Sequence, residues 1–224
     1  VHVSVKNHMH GFENEAAHLR KQVSFEKAQS GFMVADPLTL YDCCPTSDGA
    51  SAVILVADHL AHKFTDTPVW VKGSGAGSDH LALHDRPSIT QLRATQSAAA
   101  KAYKTAGISA SDVDLAEVHD CFTIAEVLAT EDLGFAGRGF GGSFAREGEG
   151  RRNEGGVTIN ASGGLKSKGH PLGATGTGQA VEIFKQLRHQ VEPERQVRDA
   201  EIGLTHNVGG SGATSAVHVF GRKR

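Results

Sequence analysis

The 224-residue chain carries 23 Lys+Arg against 25 Asp+Glu, a formal net charge of -2, which gives no global pull toward nucleic acid or an anionic membrane. No apolar run approaches the ~20 residues of a bilayer-spanning helix, and Val1 to Met9 has neither the charge nor the apolar block of a secretory signal. Three cysteines, two adjacent and none in a C-x-x-C pair, exclude a disulfide framework or zinc ribbon and predict a reducing, cytoplasmic setting.

Val1 to Ala35 has no clean amphipathic period and reads as an excursion from a core, with short helices predicted over Glu13–Arg20 and Ser24–Gln29. His2, His8, His10 and His18 crowd this end, but none has the H-E-x-x-H spacing of a zinc helix. Solvated loop histidines and no metal are the expectation. Asp36-Pro37-Leu38 and Tyr41 to Pro45 are turn-rich. Ser47-Asp48-Gly49 then leads into Ala50 to Ala57 (A-S-A-V-I-L-V-A), an apolar run that predicts a buried strand. Asp58 to Pro68 is polar and predicts a short helix and a linker, and the change in composition divides the chain into 1–67 and 68–224.

In the second part Val69 to Lys72 is strand-like. Ser88 is a candidate N-cap for a long helix carrying Ile89, Leu92, Ala99, Tyr103 and Ala106, which Gly107 ends. Val113 to Val118 predicts a strand with His119-Asp120-Cys121 at its carboxyl end, and Phe122 to Leu133 a helix that stops at Gly134. Phe135 to Gly156 is glycine- and charge-dense and predicts a surface loop. Val157 to Asn160 predicts a short strand, and Ala200 to Thr205 and Ala213 to Phe220 predict strands joined by the loop His206 to Gly212. The order is β-α-β-α-β-α-β-β, an α/β half.

The stretch Gly163 to Gly178 (G-G-L-K-S-K-G-H-P-L-G-A-T-G-T-G) organises this part. Pro171 restricts His170, and the surrounding glycines permit close backbone approach. Ala180, Val181, Phe184 and Leu187 then recur at helical spacing, so His170 sits in a loop feeding a helix N-terminus. A glycine-rich turn that packs a histidine is the competing reading. Three strand ends carry polar chemistry: His119 to Cys121, Ser162 to His170, and His206 to Gly212. In a doubly wound sheet they converge at one carboxyl edge. Imidazoles that donate to an oxyanion, a thiol that shuttles a proton and glycine N–H groups suit acyl chemistry.

The run N-A-S-G-G-L-K-S-K-G-H-P-L-G-A-T-G with H-D-C-F upstream resembles the C-terminal region of thiolases, closest to the sterol-carrier-protein-2 type and archaeal branches. D-P-L-T-L-Y-D-C-C-P-T-S-D-G-A-S-A-V resembles the end of that family's first domain, so the likeness covers nearly the whole chain. The fold it implies is two similar βαβαβαββ halves, of which 68–224 would be the C-terminal one. Residues 1–67 would be the end of the N-terminal domain with part of its loop excursion.

By this resemblance His170 activates the nucleophilic cysteine and joins the oxyanion hole for the substrate thioester. His119 stands where other thiolases carry an asparagine that holds an oxyanion-hole water, and would donate to the same oxygen. Asn207 lies where many thiolases have the acid/base cysteine of a C-x-G motif, so proton transfer would fall to Cys121, for which a lowered pKa is expected near imidazoles and a helix start. The Gly209 N–H would serve the acyl-enzyme's oxyanion hole, and Ser162 and Gly163 would line the pantetheine channel. The nucleophilic cysteine of the family lies upstream of anything in this sequence, and Cys43 and Cys44 fall in a motif that is structural there.

The implied protein is an acyl-CoA acyltransferase, condensing two acyl-CoA molecules or cleaving a 3-oxoacyl-CoA with coenzyme A. It would have no tightly bound cofactor, and its partners would be acyl-CoA substrates, the missing N-terminal half and further copies of itself, with no nucleic acid or membrane. A non-catalytic thiolase-like subunit and a thiolase-like aldolase are the alternatives. Retention of both His119 and Cys121 argues against the aldolase. The final Arg222-Lys223-Arg224 is no peroxisomal S-K-L address.

Overall fold

A polar face, not an apolar one, buries the first helix. In the computed structural model, which describes residues 1–224, α1 (His2–Phe12) hides Lys6, Asn7, His8 and His10 beside Val3. Lys6 pairs with Glu126 at 3.0 Å and donates to the Ile159 carbonyl at 2.8 Å, while Asn7 Nδ2 donates to Asp120 and Glu126 at 2.7 and 2.8 Å. Such groups can be buried because each is paired and hydrogen-bonded. The helix expected over Glu13–Arg20 does not form. Asn14 Oδ1 accepts from the Ala16 N–H at 3.0 Å and its amide donates to the Ser162 carbonyl at 2.8 Å, making a turn instead. α2 (Phe25–Gln29) begins where expected, with Ser24 Oγ accepting from the Lys27 N–H.

A small antiparallel ribbon of β1 (Met33–Ala35) and β2 (Leu38–Thr39) follows. Ala50 to Ala57, expected as a buried strand, is irregular, and Ile54 and Leu55 are 90% and 78% exposed. Apolar composition alone does not make a strand, because its backbone groups need a neighbour to pair with and no strand of this chain pairs with the run. The short helix expected after it is a 3-10 turn over Asp58–Lys63.

β3 (Trp70–Ser78) runs well past Lys72, the limit expected from its apolar residues. Its inner face is a comb of Gly73, Gly75 and Gly77, against which α3 (Arg93–Ala106) lies so closely that a Cβ on each would strike the carbonyl oxygens of Ala102, Ala98 and Ala94 in turn. Those three alanines, four apart and fully buried, are the helix's answering face. Glycine is disfavoured in strands unless another backbone approaches closely. The first turn of α3 is fixed by the Leu92 N–H, which donates to Asp132 at 2.8 Å; Ser88 is not the cap, whereas Gly107, at φ 69°, does end the helix. Gly75→Ala is expected to lower stability by ~1–3 kcal/mol, the usual cost of overpacking, read as a lower urea midpoint at unchanged slope. An unchanged midpoint would show slack between the layers.

The rest of the sheet is β4 (Leu115–Glu117), β5 (Thr158–Ile159), β6 (Ile202–Gly209) and β7 (Thr214–Gly221), in the order β3-β7-β6-β4-β5. β4 runs parallel to both β5 and β6, whereas β7 is antiparallel to β6 and β3. α3 and α4 (Thr123–Asp132) cover one face over Ala116, Ile159, Leu204, Val217 and Val219. α7 (Thr175–Leu187) covers the other over Leu115, Ala161 and Ala200, and the four-residue helix α6 (Gly164–Ser167) precedes it. Leu115 and Ala116 thus serve opposite cores, as the two-residue period of a strand requires. Two expectations fail. Phe135 to Gly156 contains α5 (Gly141–Glu147), because Gly141 seats against α4, where a Cβ would strike the Val127 carbonyl, and its N–H donates to Glu131. His206 and Asn207 lie inside β6, since pairing with β7 continues to Gly209 opposite Thr214.

Candidate active site

β4, β5 and β6 are parallel, so the segments leaving their carboxyl ends emerge on one edge. The segment Thr46–Ser51 crosses that edge. Thr46 bridges to His170, whose N–H donates to Ser47 Oγ at 3.3 Å, and Ser51 Oγ donates to the Ala174 carbonyl at 2.7 Å. Gly169 has φ 113°, and a Cβ there would collide with Ser47, so glycine is required just before the histidine.

The His170 ring is fixed as a single tautomer. Thr175 Oγ1 gives its own proton to the Pro171 carbonyl at 3.1 Å, and therefore accepts one from His170 Nδ1, 2.7 Å away. Nε2 is left with the lone pair. Burial lowers the pKa of this ring, so it is neutral at pH 7 and able to accept a proton. His119 stands edge-on to it, ring centroids 5.0 Å apart and planes at 89°. Burial, and then the proximity of His170, lowers His119 to about 4. Behind it His206, on β6, places Nε2 2.9 Å from Thr95 Oγ1 of α3, and burial followed by His119 lowers it to about 3. The structure thus pairs His119 with His170 edge to face, both neutral, where composition offered thirteen scattered histidines. The N-terminal ones are elsewhere: His8 meets the Lys21 carbonyl, His10 the Asn160 carbonyl and His18 the Ser47 hydroxyl.

Cys121 lies two residues beyond His119, and its carbonyl accepts the Cys44 N–H at 3.0 Å. Its thiol pKa is raised, by burial and then by the Asp120 carboxylate, against the lowering expected for it. Burial disfavours the thiolate, neutral imidazoles supply no positive charge to offset it, and Asp120 adds a negative one. Cys44 is pushed up to about 11 by burial, Cys121 and Asp120, so neither is a ready thiolate. Cys43 Sγ donates to the Thr39 carbonyl and its own carbonyl accepts Lys166 at 2.6 Å. Asp120, which sequence reasoning passed over, anchors the turn: it accepts the Leu165 N–H at 2.6 Å, the Lys166 N–H at 3.2 Å and the Asn7 amide.

The structure places Ser162 and Gly163, expected to line the pantetheine channel, inside this half. Both are buried. Ser162 Oγ donates to Glu117 at 2.5 Å and its N–H donates to the other oxygen of that carboxylate at 3.0 Å, while Gly163 packs on the backbone of Gly11. They form the floor beneath α1. Gly209 ends β6 and, with Asn207, Ser97 and Lys101, lines an open cleft of about 660 Å³. His119 and His170 are not part of that cleft; His170 borders a different one, of about 580 Å³, with Thr46, Ser47, Pro171 and Leu172. Asn207 contacts α7 through Gln179 and Gly176. Thr175 and Thr95 are additions from the folded chain, although a threonine five residues after His170 was a visible signal. The arrangement supplies a base, imidazole donors and a protonated thiol at one sheet edge.

Residues 75–222 match the family model described as "Thiolase C-terminal domain-like". The chain is 51% identical over 220 residues to an acetyl-CoA acetyltransferase of Methanothermobacter thermautotrophicus, covering 98% of this chain and 57% of that protein. It is 38% identical over 213 residues to sterol carrier protein 2 of Oryctolagus cuniculus, covering 93% of this chain and 39% of that one. A solved structure, "Ltp2-ChsH2(DUF35) aldolase", superposes with a TM-score of 0.86 at 22% identity over 100% of this chain and 58% of its own; at that identity the likeness is one of fold. The chain therefore spans just over half of its acetyl-CoA acetyltransferase relative. With the family model covering most of the sheet and both histidine segments, the chain belongs to the thiolase family.

Proposed function

We propose that this chain carries the proton-transfer and oxyanion-binding half of an acyl-CoA acyltransferase of the thiolase class. The observation behind this reading is the edge-to-face pair of His119 and His170, with Thr175 leaving His170 Nε2 as a base. The nucleophilic cysteine would come from an N-terminal half, and residues 1–67 and 68–224 would be the end of that domain and the C-terminal domain. His170 Nε2 takes the proton of that thiol. The thiolate attacks the acyl-CoA carbonyl, a new C–S bond forms, the bond to coenzyme A breaks, and the proton leaves with coenzyme A as its thiol. In thiolytic cleavage Cys121, kept protonated by its raised pKa, delivers the proton to the α-carbon of the departing acyl-CoA; in condensation the same thiolate removes it. Coenzyme A esters are substrates, no tightly held cofactor is required, and the working form is a cytoplasmic homo-oligomer.

An aldolase reading has support in the fold shared with the aldolase structure. Against it stand the 51% relative named acetyl-CoA acetyltransferase and the presence of His119 and Cys121 together. The test is to incubate the chain with acetoacetyl-CoA and coenzyme A, alone and with the N-terminal half, and to map acyl-cysteine by peptide mass. No thiolysis alone and recovery on complementation, with the acyl group on a cysteine of the added half, are expected. Turnover by the chain alone with an acyl group on Cys121 would overturn the proposal, making this half self-sufficient.

A further inference from the structure

Cys44 and Cys121 face each other across two short extended segments. Cys43 (φ -106°, ψ 142°) and Phe122 (φ -131°, ψ 151°) form an antiparallel bridge. On one side of that bridge Thr123 Oγ1 donates to Asp42 Oδ1 at 2.7 Å, and on the other the Cys44 N–H donates to the Cys121 carbonyl at 3.0 Å. One register therefore sets Cys44 opposite Cys121. Lys166 Nζ holds the first segment by donating to the Leu40 and Cys43 carbonyls at 3.4 and 2.6 Å, and Asp120 holds the second by accepting from the Leu165 and Lys166 N–H groups. Residues directly opposite in an antiparallel pair put their side chains on one face, with Cα atoms about 4.5–5.5 Å apart. That lies inside the ~4.4–6.8 Å that a disulfide spans. Cys43 does not compete, because successive side chains of an extended segment alternate and its Sγ donates to the Thr39 carbonyl at 3.5 Å. Cys44 and Cys121 are free thiols, and neither is fully buried.

We propose that Cys44 and Cys121 are a redox pair that closes to a disulfide under hydrogen peroxide and opens again under a reducing thiol. The Cys121 thiolate attacks the O–O bond, becomes a sulfenic acid and releases hydroxide, which takes up the proton that the thiol had lost. The Cys44 sulfur then attacks the Cys121 sulfur; the S–S bond forms, the S–O bond breaks, and the oxygen leaves as water with the proton of Cys44. Two thiols give up two electrons, and the peroxide becomes two waters. Transient bonds of this kind are the disulfides found where thiols are otherwise kept reduced. Burial raises the pKa of both thiols, so closure is slow at neutral pH. The consequence rests on the acyltransferase reading: a closed pair removes the proton that Cys121 supplies, while His170 keeps its lone pair.

The bond is read on the purified chain with no substrate. After peroxide and alkylation, Cys43 should be the one alkylated cysteine of the three, in a chain that runs as a monomer on a non-reducing gel. Digestion should then give the peptide carrying Cys44 joined to the peptide carrying Cys121. Fragment ions that separate Cys43 from Cys44 assign the bond in the unsubstituted protein, so the result does not depend on the folding of a variant. Cys43→Ser should still form the bond and Cys44→Ser should not. Closure should quicken by roughly tenfold from pH 7 to pH 8, following the thiolate fraction. Three alkylated cysteines, a bond from Cys121 to Cys43, or sulfinic acid on Cys121 with Cys44 still alkylated would each overturn the proposal. For the consequence, the chain is oxidised, freed of peroxide and only then mixed with the N-terminal half, whose cysteine thus meets no oxidant. Thiolysis should fall by ~10²-fold or more, the worth of an acid–base group, and return with dithiothreitol. Full thiolysis by a chain whose bond is closed would remove Cys121 from the reaction and leave the pair itself standing.

Discussion

His170→Asn is expected to slow acylation at neutral pH by ~10³-fold or more, since base catalysis contributes about 10²–10⁴ and an oxyanion donor about 10²–10³. Asparagine occupies the position of Nδ1 and retains the partner Thr175, but nothing replaces the Nε2 lone pair. Affinity for the CoA ester should change much less, and equal losses in acylation and binding would reduce His170 to a packing residue. Thr175→Val, which removes only the acceptor that fixes the tautomer, should cost about tenfold, the worth of one ~1.4 kcal/mol hydrogen bond. Because burial lowers the His170 pKa below 6.5, the base form persists to lower pH than in a free imidazole. Acylation should therefore lose its base with a midpoint below 6.5; a midpoint at or above 6.5 would show that another group limits the step.

The second large effect is Cys121→Ala, for which turnover should drop by ~10²–10⁴ with the fold intact. Alanine cannot move a proton, and Asn207, which faces the start of α7, has no titratable group to replace it. Acyl-enzyme formation should survive, because that step uses His170. The check is a burst of acyl transfer from acyl-CoA without steady-state thiolysis. Near-normal turnover would remove Cys121 from the reaction. Its raised pKa adds a second reading: thiol-alkylating reagents should attack it slowly at neutral pH, since the thiolate is the reactive form.

What the sequence revealed and what it hid divide along physical lines. α3, α4 and α7 were legible because apolar residues repeat along them at helical spacing, even though the buried positions of α4 and α7 are largely polar, among them Glu126, Thr130, Gln179 and Gln186. α1 was not, because Lys6, Asn7 and His10 bury through hydrogen bonds and ion pairs whose partners lie more than a hundred residues away. β3 was cut short at its glycines, which carry no hydrophobic signal although they are the contact surface. Val53 to Val56 misled in the opposite sense, since a run of apolar residues gives the appearance of a strand without supplying its neighbour. At the site, the G-H-P and H-D-C turns announced themselves, and the chain brings their histidines together. His206 was read as a loop residue, because sequence cannot show that β7 extends the pairing past it. The direction of the Cys121 shift was likewise hidden, as it depends on which neighbours are charged once buried.

The glycine comb of β3 also acts as a gauge for the chemistry on the far strand. Ala94 seats on Gly77, and the next residue along α3 is Thr95, whose hydroxyl must reach both Ser215 and His206. The bond to His206, at 2.9 Å, tolerates little error, since N–H hydrogen bonds fall within about 2.7–3.2 Å. A methyl group at position 77 would raise the helix and withdraw Thr95 from an imidazole that the substituted residue never touches. The gap between helix and sheet is thus a calibrated dimension, and a change at an edge strand should register at the bond between Thr95 and His206, two strands away.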